Sequence, residues 1–129
     1  MLSKKYADTD FFLALLKNSD WLKERAKNIY EKNKENICVT PFTVAEIMIV
    51  CLRENIPIKE TLFHISRIAS LDYIKWDLFF TAANYVEKGA SVFDALLMAF
   101  ASANEGSEII SSDKVYEKFD FKVLDLKKD

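Results

Sequence analysis

The chain has 129 residues, of which 50% are hydrophobic and 13% aromatic, and it contains only 2 Gly and 2 Pro. A chain of this size and composition is expected to fold over residues 1–129 as a single domain with a dense core, which excludes a disordered or linker-like protein. The net charge of −2 disfavours binding to nucleic acid through a basic face, unless bound cations reverse the charge at the site.

The sequence predicts neither a secretory signal nor a membrane span. Two acids, Asp8 and Asp10, interrupt the apolar stretch near the N-terminus, and no apolar run is long enough to cross a bilayer. Cys38 and Cys51 lie in apolar runs without a paired spacing, which favours buried, reduced thiols over a disulfide. We therefore expect a cytoplasmic protein.

Strands and helices alternate along the chain. In chain order the predicted elements are a strand over 4–8, a helix from 11, a helix over 21–30 capped by residues 18–20, a loop over 31–36, a strand over 37–40, a helix over 42–52, a helix over 57–69, a strand over 71–74, a helix over 77–86, a helix over 91–105, a strand over 108–111, a helical turn over 113–118 and a strand over 121–126.

Local signals support these boundaries and indicate the fold class. Pro41 and Pro57 are suited to the first turn of a helix, Ser91 can cap one, and Gly106 can end one. The helix over 42–52 is apolar nearly all round and is expected to be deeply buried. Alternating strands and helices imply a parallel sheet covered on both faces, so we predict an α/β fold, a three-layer α/β/α sandwich.

Acidic residues recur where the predicted strands end or the following helices begin, at Asp8, Asp10, Glu46, Asp94 and Asp113. Because the carboxyl ends of parallel strands share one edge of a sheet, these side chains are expected to meet there. Two carboxylates about 5 Å apart repel by roughly 3 kcal/mol at an effective dielectric constant of about 20, which a divalent cation would relieve. Oxygen ligands suit Mg²⁺ or Mn²⁺, and the chain has no His/Cys pattern typical of zinc.

A purely structural explanation of each acid also stays open. Thr43 and Glu46 match a capping box, Ser91 and Asp94 nearly do, and Asp10 could cap the first helix. That all five acids are caps is less favoured than a common metal site.

Four motifs in this order resemble the PIN-domain family, and in particular its small VapC-like members. Tyr-Ala-Asp-Thr-Asp at 6–10 resembles the opening strand, where Asp-Thr-Ser or a relative is usual. Thr-Val-Ala-Glu at 43–46 is similar to the second acidic motif, and Phe-Asp-Ala-Leu at 93–96 to the third. Ser-Ser-Asp-Lys at 111–114 resembles the fourth, commonly Thr-x-Asp. The resemblance covers essentially the whole chain, as one PIN-like domain.

The resemblance implies an acidic catalytic pocket formed by Asp8, Glu46, Asp94 and Asp113. Asp8, Asp94 and Asp113 would hold Mg²⁺ or Mn²⁺. Thr9 and Ser111 match hydroxyl positions beside the metals, where they would orient ligands. Asp10 stands where Ser or Asn is more frequent, so its role as an extra ligand stays open.

The implied activity is that of an endoribonuclease, in which a water activated by the metal attacks the RNA phosphodiester in line. Lys114 is the first candidate for contacts to the RNA backbone; the weaker candidates, for which a solvated surface charge is favoured, are Lys17, Arg53 and Lys88. The resemblance further implies a homodimer and a VapB-type antitoxin that inserts a helical segment, which makes the chain the toxin of a toxin–antitoxin pair.

Three other functions remain as alternatives. The chain could be a stand-alone PIN nuclease in RNA processing, or a PIN fold that has become a catalytically silent binding module, against which the presence of all four acids argues. Residues 8–10 also fit the Asp-x-Asp opening of haloacid-dehalogenase-like phosphatases, but Phe12 stands where that family has Thr or Val. His64 is expected on the surface or in the core rather than in a site, and Trp21 and Trp76 are expected in the core rather than as base-stacking platforms.

Overall fold

A central parallel sheet organises the molecule, which is described over residues 3–17 and 20–128 by a computed structural model. Its strands are β1 (Lys5–Ala7), β2 (Ile37–Val39), β3 (Ser70–Leu71), β4 (Glu108–Ser111) and β5 (Val123–Asp125). They lie in the order β3-β2-β1-β4-β5, and every pairing is parallel. All strands therefore end at the same edge of the sheet, where ligands bind in open α/β folds.

Helices cover both faces of this sheet. They are α1 (Thr9–Leu16), α2 (Lys23–Asn33), α3 (Pro41–Glu54), α4 (Ile58–Ile68), α5 (Trp76–Glu87), α6 (Val92–Ser102) and α7 (Val115–Lys118). Alternate strand residues point to opposite faces: Tyr6 and Ile109 join a core with α5 and α6, whereas Ala7 and Ile110 join one with α1 to α4. The predicted α/β/α sandwich with a central parallel sheet is confirmed.

Helix α6 is the most deeply buried helix of the described chain, since every residue from Ala95 to Ala101 is buried. It is all-apolar over this stretch and packs between α5 and the sheet. Gly89, at a φ of 106°, forms the turn from α5 into α6, a backbone conformation that glycine adopts without steric cost. The turn brings the N-terminus of α6 to the edge where the strands end.

Several predicted boundaries were wrong. Helix α2 continues to Asn33, through the first half of the predicted loop, and α6 ends at Ser102 rather than at Gly106. The third strand comprises Ser70 and Leu71 instead of residues 71–74. Of the predicted cap of α2, residues 18 and 19 lie outside the described ranges, while Asp20 Oδ1 accepts a hydrogen bond from the Leu22 amide at 2.9 Å.

The prediction that α3 is deeply buried was also wrong. Only one stripe of the helix faces the core, and Met48, Ile49 and Leu52 are exposed. Trp21 and Trp76 are 77% and 78% exposed, so the prediction that they belong to the core was wrong. The two cysteines are buried and free, as predicted. Among the described residues no helix is both long and apolar enough to cross a membrane.

Candidate active site

An open pocket of about 670 Å³ lies at the carboxyl edge of the sheet. It is lined by Asp8, Thr9, Asp10, Leu13, Glu46, Asp94, Ser112, Asp113, Lys114 and Lys127. The acids come from segments far apart in the chain, and they line one pocket at this edge, where the sequence predicted that they would meet. Their roles in metal binding and catalysis stay predictions.

Asp8 lies at the centre of the hydrogen-bond network. It follows β1 and caps α1, and its Oδ1 accepts the Thr9 amide at 2.8 Å. Its Oδ2 accepts the hydroxyls of Ser111 at 3.1 Å and Tyr116 at 3.0 Å. Burial raises the pKa of Asp8 to about 6, and the nearby Asp10 adds to this, while the hydrogen bonds act in the opposite direction. Asp8 is therefore held in one orientation but carries uncompensated negative charge.

Asp10 connects α1 to the loop after β4. It does not cap α1, so the interpretation of Asp10 as the cap of the first helix was wrong. Its Oδ2 accepts both the amide of Ser112, at 2.8 Å, and the Ser112 hydroxyl. Its Oδ1 is buried and has no hydrogen-bond partner among residues 3–17 and 20–128. Burial raises the pKa of Asp10 as well. A buried carboxylate oxygen without a partner costs free energy unless a ligand satisfies it.

Glu46 extends from α3 towards the same pocket. The cap of α3 is Thr40, whose Oγ1 accepts the Thr43 amide at 3.1 Å, so the capping-box interpretation of Thr43 and Glu46 was wrong. Glu46 Oε1 lies 3.5 Å from the Thr9 hydroxyl. Partial burial, and then the charges of Asp8 and Asp94, raise the pKa of Glu46 to about 7. This carboxyl group can bind and release a proton near neutral pH.

Asp94 and Asp113 complete the acidic set. Ser91 caps α6 by accepting the amide of Asp94 at 3.3 Å, which leaves the Asp94 carboxylate free to share the single proton of the Tyr116 hydroxyl, 3.1 Å away, with Asp8. Asp113 is exposed; its Oδ1 accepts the Val115 amide at the start of α7. Both carboxylates keep oxygens that no hydrogen bond described above uses.

Three further residues of the site were not predicted: Ser112, Tyr116 and Lys127. Tyr116 is 1% exposed and joins two of the predicted acids through its hydroxyl. Lys127 reaches the pocket from the segment after β5, beside the predicted Lys114. Among the weaker cation candidates, Lys17 is engaged by Glu54 at 2.8 Å and Arg53 contacts the same carboxylate at 3.4 Å, as expected for surface charges.

The donor set fits a hard divalent cation. The pocket offers only oxygen ligands, the pKa values of its buried carboxyl groups are raised, and Asp10 Oδ1 lacks a partner. As the side chains stand, no three His, Cys, Asp or Glu groups in the described ranges are close enough together to hold an ion. Asp94 and Asp113 are half-buried and exposed, respectively, and so have room to reorient.

The chain belongs to the PIN domain family, whose family model matches residues 5–122. This membership excludes the haloacid-dehalogenase-like alternative. No curated protein matches the sequence significantly.

Solved structures of similar fold cover nearly the whole chain. VapC20 of Mycobacterium tuberculosis, a toxin that cleaves the sarcin–ricin loop, is 16% identical with a TM-score of 0.74, over 92% of this chain and 96% of that chain. VapBC of Salmonella typhimurium, bound to DNA, is 18% identical with a TM-score of 0.72, over 97% of this chain and 99% of that chain. FitAcB of Neisseria gonorrhoeae is 16% identical with a TM-score of 0.67, over 95% of this chain and 98% of that chain. At these identities the likeness establishes the fold.

Proposed function

We propose that the chain is a metal-dependent endoribonuclease that hydrolyses RNA phosphodiester bonds, and that it is the toxin of a VapBC-type pair. The observation that carries the proposal is the meeting of Asp8, Glu46, Asp94 and Asp113 in one pocket of a PIN-domain chain. The sarcin–ricin loop activity of VapC20, a protein of the same fold, supports RNA as the substrate class.

In this proposal Asp8, Asp94 and Asp113 hold Mg²⁺ or Mn²⁺. Asp10 Oδ1 is a further candidate because it is buried without a partner. A bound cation would neutralise the crowded carboxylates and polarise the scissile phosphate. Ser111 acts through Asp8, since its hydroxyl donates to Asp8 Oδ2 and accepts the Asp113 amide at 3.0 Å. Ser111 therefore ties the Asp8 carboxylate to the backbone of Asp113.

Glu46 is the group best suited to accept the proton of the attacking water. In the metal-free protein its pKa is raised to about 7, chiefly by burial, and a bound cation would lower it, which leaves the carboxylate ionised and able to accept a proton near neutral pH. It makes only one long contact, to the Thr9 hydroxyl, and so retains acceptor capacity. Thr9 would orient this carboxylate towards the pocket.

Lys114 and Lys127 are the proposed contacts to RNA phosphates, because both line the pocket whose other charged groups are acidic. Replacing each by Gln should weaken RNA binding and lower the slope of log affinity against log salt by about 0.7 per residue. Fluorescence anisotropy with a single-stranded RNA at several salt concentrations measures this slope. Lys17→Gln is the matched control, since Glu54 already engages Lys17; a change of slope in the control alone would contradict the assignment.

Cleavage of labelled single-stranded RNA tests the proposed activity. With Mn²⁺ or Mg²⁺ the wild type should cleave, EDTA should stop cleavage, and Asp94→Asn should lose roughly 100-fold or more in rate because several kcal/mol of charge stabilisation are removed. Asp77→Asn is the control, since Asp77 occupies the first turn of α5 as Asp94 does that of α6, but outside the pocket. A wild type without activity would favour the silent binding module, and full activity in Asp94→Asn would contradict the site.

An antitoxin and a second copy of the chain are the proposed protein partners. Support comes from neighbours solved as VapBC and FitAB complexes, and from exposed apolar side chains on α3 and α5, among them Ile49, Leu52, Trp76 and Phe80. Light scattering of the purified chain tests the homodimer. Inhibition of cleavage by the product of an adjacent short reading frame tests the antitoxin; its failure favours a stand-alone RNA-processing nuclease.

A further inference from the structure

Tyr116 connects two acids that come from opposite halves of the chain. Its ring is buried in the core between α6 and the sheet, and its hydroxyl oxygen lies 3.0 Å from Asp8 Oδ2 and 3.1 Å from Asp94 Oδ1. A buried phenol hydroxyl is costly unless it is hydrogen-bonded. Here both potential partners are carboxylates of the candidate site, so the hydroxyl is committed to that site.

The two carboxylates depend on this hydroxyl to different degrees. Asp8 has two other donors, the Thr9 amide and the Ser111 hydroxyl. Among the described residues, the Asp94 carboxylate has Tyr116 as its single hydrogen-bond donor. Without it, the half-buried Asp94 side chain could turn away from Asp8, towards solvent and away from the like charge.

We propose that Tyr116 is a positioning residue whose hydroxyl holds the Asp94 carboxylate beside Asp8 and thereby raises the affinity of the pocket for a divalent cation. The inference rests on the metal-dependent function proposed above and goes beyond it, because the hydroxyl acts through Asp94. A ligand that is already oriented loses less conformational freedom when it binds. A phenylalanine would fill the same core space, so the hydroxyl is the part of Tyr116 that serves the site.

Tyr116→Phe tests this role because it removes only the hydroxyl. Titration with Mn²⁺, followed by the electron paramagnetic resonance signal of free Mn²⁺, should give an affinity about tenfold weaker than that of the wild type. The Mn²⁺ concentration needed for half-maximal RNA cleavage should rise by a similar factor, while the rate at saturating Mn²⁺ stays near that of the wild type. An affinity within about twofold of the wild-type value would overturn the proposal.

Tyr6→Phe is a matched control. Tyr6 is also fully buried, and its hydroxyl donates to a carboxylate, Asp72 Oδ2, at 2.5 Å and accepts Asn104 Nδ2 at 2.7 Å, outside the acidic pocket. Both variants should lower the melting temperature, but Tyr6→Phe should keep the wild-type Mn²⁺ affinity. Equal losses of affinity in the two variants would mean that general destabilisation is the cause, and would overturn the positioning role.

A double-mutant cycle tests whether the hydroxyl acts through Asp94. In an Asp94→Asn background, Tyr116→Phe should change Mn²⁺ affinity by no more than about twofold, and a further tenfold loss would overturn the proposal. If Tyr116→Phe does not fold, NMR of the ring-labelled wild type decides: Mg²⁺ should shift the Tyr116 signal and leave that of Tyr6 unchanged, and an unmoved Tyr116 signal overturns the role. A wild type that binds no Mn²⁺ would instead disprove the metal site itself.

Discussion

Asp8 and Glu46 illustrate how one pocket gives two carboxyl groups different surroundings. The pKa of each is raised by burial, to about 6 for Asp8 and about 7 for Glu46. Asp8 accepts the Thr9 amide and the Ser111 hydroxyl, shares the Tyr116 hydroxyl with Asp94 and is fixed, whereas Glu46 has one long contact, to Thr9. A fixed carboxylate is suited to bind a cation, and a less constrained one with a pKa near 7 to exchange protons.

Glu46→Gln should therefore separate proton transfer from metal binding. We expect the cleavage rate to fall by roughly 100-fold or more, the usual contribution of a general base, while Mn²⁺ affinity changes by less than about threefold. Measuring kcat and Mn²⁺ binding on the same preparation checks both. A loss of Mn²⁺ affinity comparable to that of Asp94→Asn would show that Glu46 is a ligand rather than the base.

The stability of the metal-free protein should fall as the pH rises through the Asp8 titration. The pKa of Asp8 is about 6 in the folded protein against 3.8 in an unfolded chain, so between these values the folded protein binds more protons. The free energy of unfolding must then decrease with rising pH, by roughly 2 kcal/mol for this group. Denaturation by urea in EDTA at pH 4 and pH 7.5 measures the difference. Asp8→Asn should lose this part of the pH dependence; an unchanged slope in the variant would contradict the assignment.

At the scale of elements, the beginnings of α3 and α6 position two of the acids. Thr40 caps α3 and Ser91 caps α6, each by accepting an amide three residues later. These caps leave the carboxylates of Glu46 and Asp94 without a capping task. Because both helices start where the strands end, the second turn of α3 and the first turn of α6 deliver the carboxylates to the pocket.

Thr40→Val tests the cap of α3. Val has nearly the same shape, but it leaves the buried amide of Thr43 without an acceptor, so we expect the free energy of unfolding to fall by about 1–2 kcal/mol. Because the cap fixes the start of α3, cleavage should also weaken as Glu46 moves. Thr40→Ser keeps the acceptor and should retain most of the stability. A larger loss in Thr40→Ser than in Thr40→Val would indicate packing by the Thr40 methyl group instead of capping, because Val keeps that methyl group. Urea denaturation measures the free energy of unfolding of both variants.

Most elements could be predicted because their signals are local. Helix α6 was recognised from Ser91 and its apolar run, and β4 was predicted with its observed bounds, Glu108–Ser111. The failures arise where tertiary context decides. The strand predicted over 71–74 is an exposed edge of two residues, and the apolar outer face of α3 could not be distinguished from core by periodicity.

The sequence predicted the acids of the candidate site, but not the other residues that contact them or line the pocket. Asp8, Asp94 and Asp113 follow strands or begin helices, a position that the sequence reveals. Tyr116 lies on a helix of four residues, Val-Tyr-Glu-Lys, which is too short to show a helical period, so nothing in the sequence reveals that its hydroxyl reaches the site. Lys127 follows the last strand, and only the path of β5 beside β4 brings it to the pocket.

At the scale of the whole molecule, the pocket joins segments from both ends of the chain. Its acids come from the segments after β1 and β4, from the second turn of α3 and from the first turn of α6, so a ligand bound by all of them would cross-link the layers of the fold. Burial of these carboxylates, and then their crowding, destabilise the metal-free protein, as the raised pKa values of Asp8 and Glu46 indicate.

A cation that binds these acids should therefore stabilise the entire fold. At a Mn²⁺ concentration 100 times its dissociation constant, the free energy of unfolding should rise by about 2.7 kcal/mol. For a chain of this size that corresponds to a melting temperature higher by roughly 10 °C. Differential scanning calorimetry with Mn²⁺ and with EDTA checks this.

Asp8→Asn should raise the melting temperature of the metal-free protein at pH 7.5, because it removes a buried charge. The same variant should abolish most of the Mn²⁺ effect, whereas Asp77→Asn should retain it. A higher melting temperature without metal, together with a smaller Mn²⁺ effect in the same variant, would show that the acids both destabilise the metal-free protein and bind the cation. A Mn²⁺ effect of wild-type size in Asp8→Asn would assign the cation to another part of the surface.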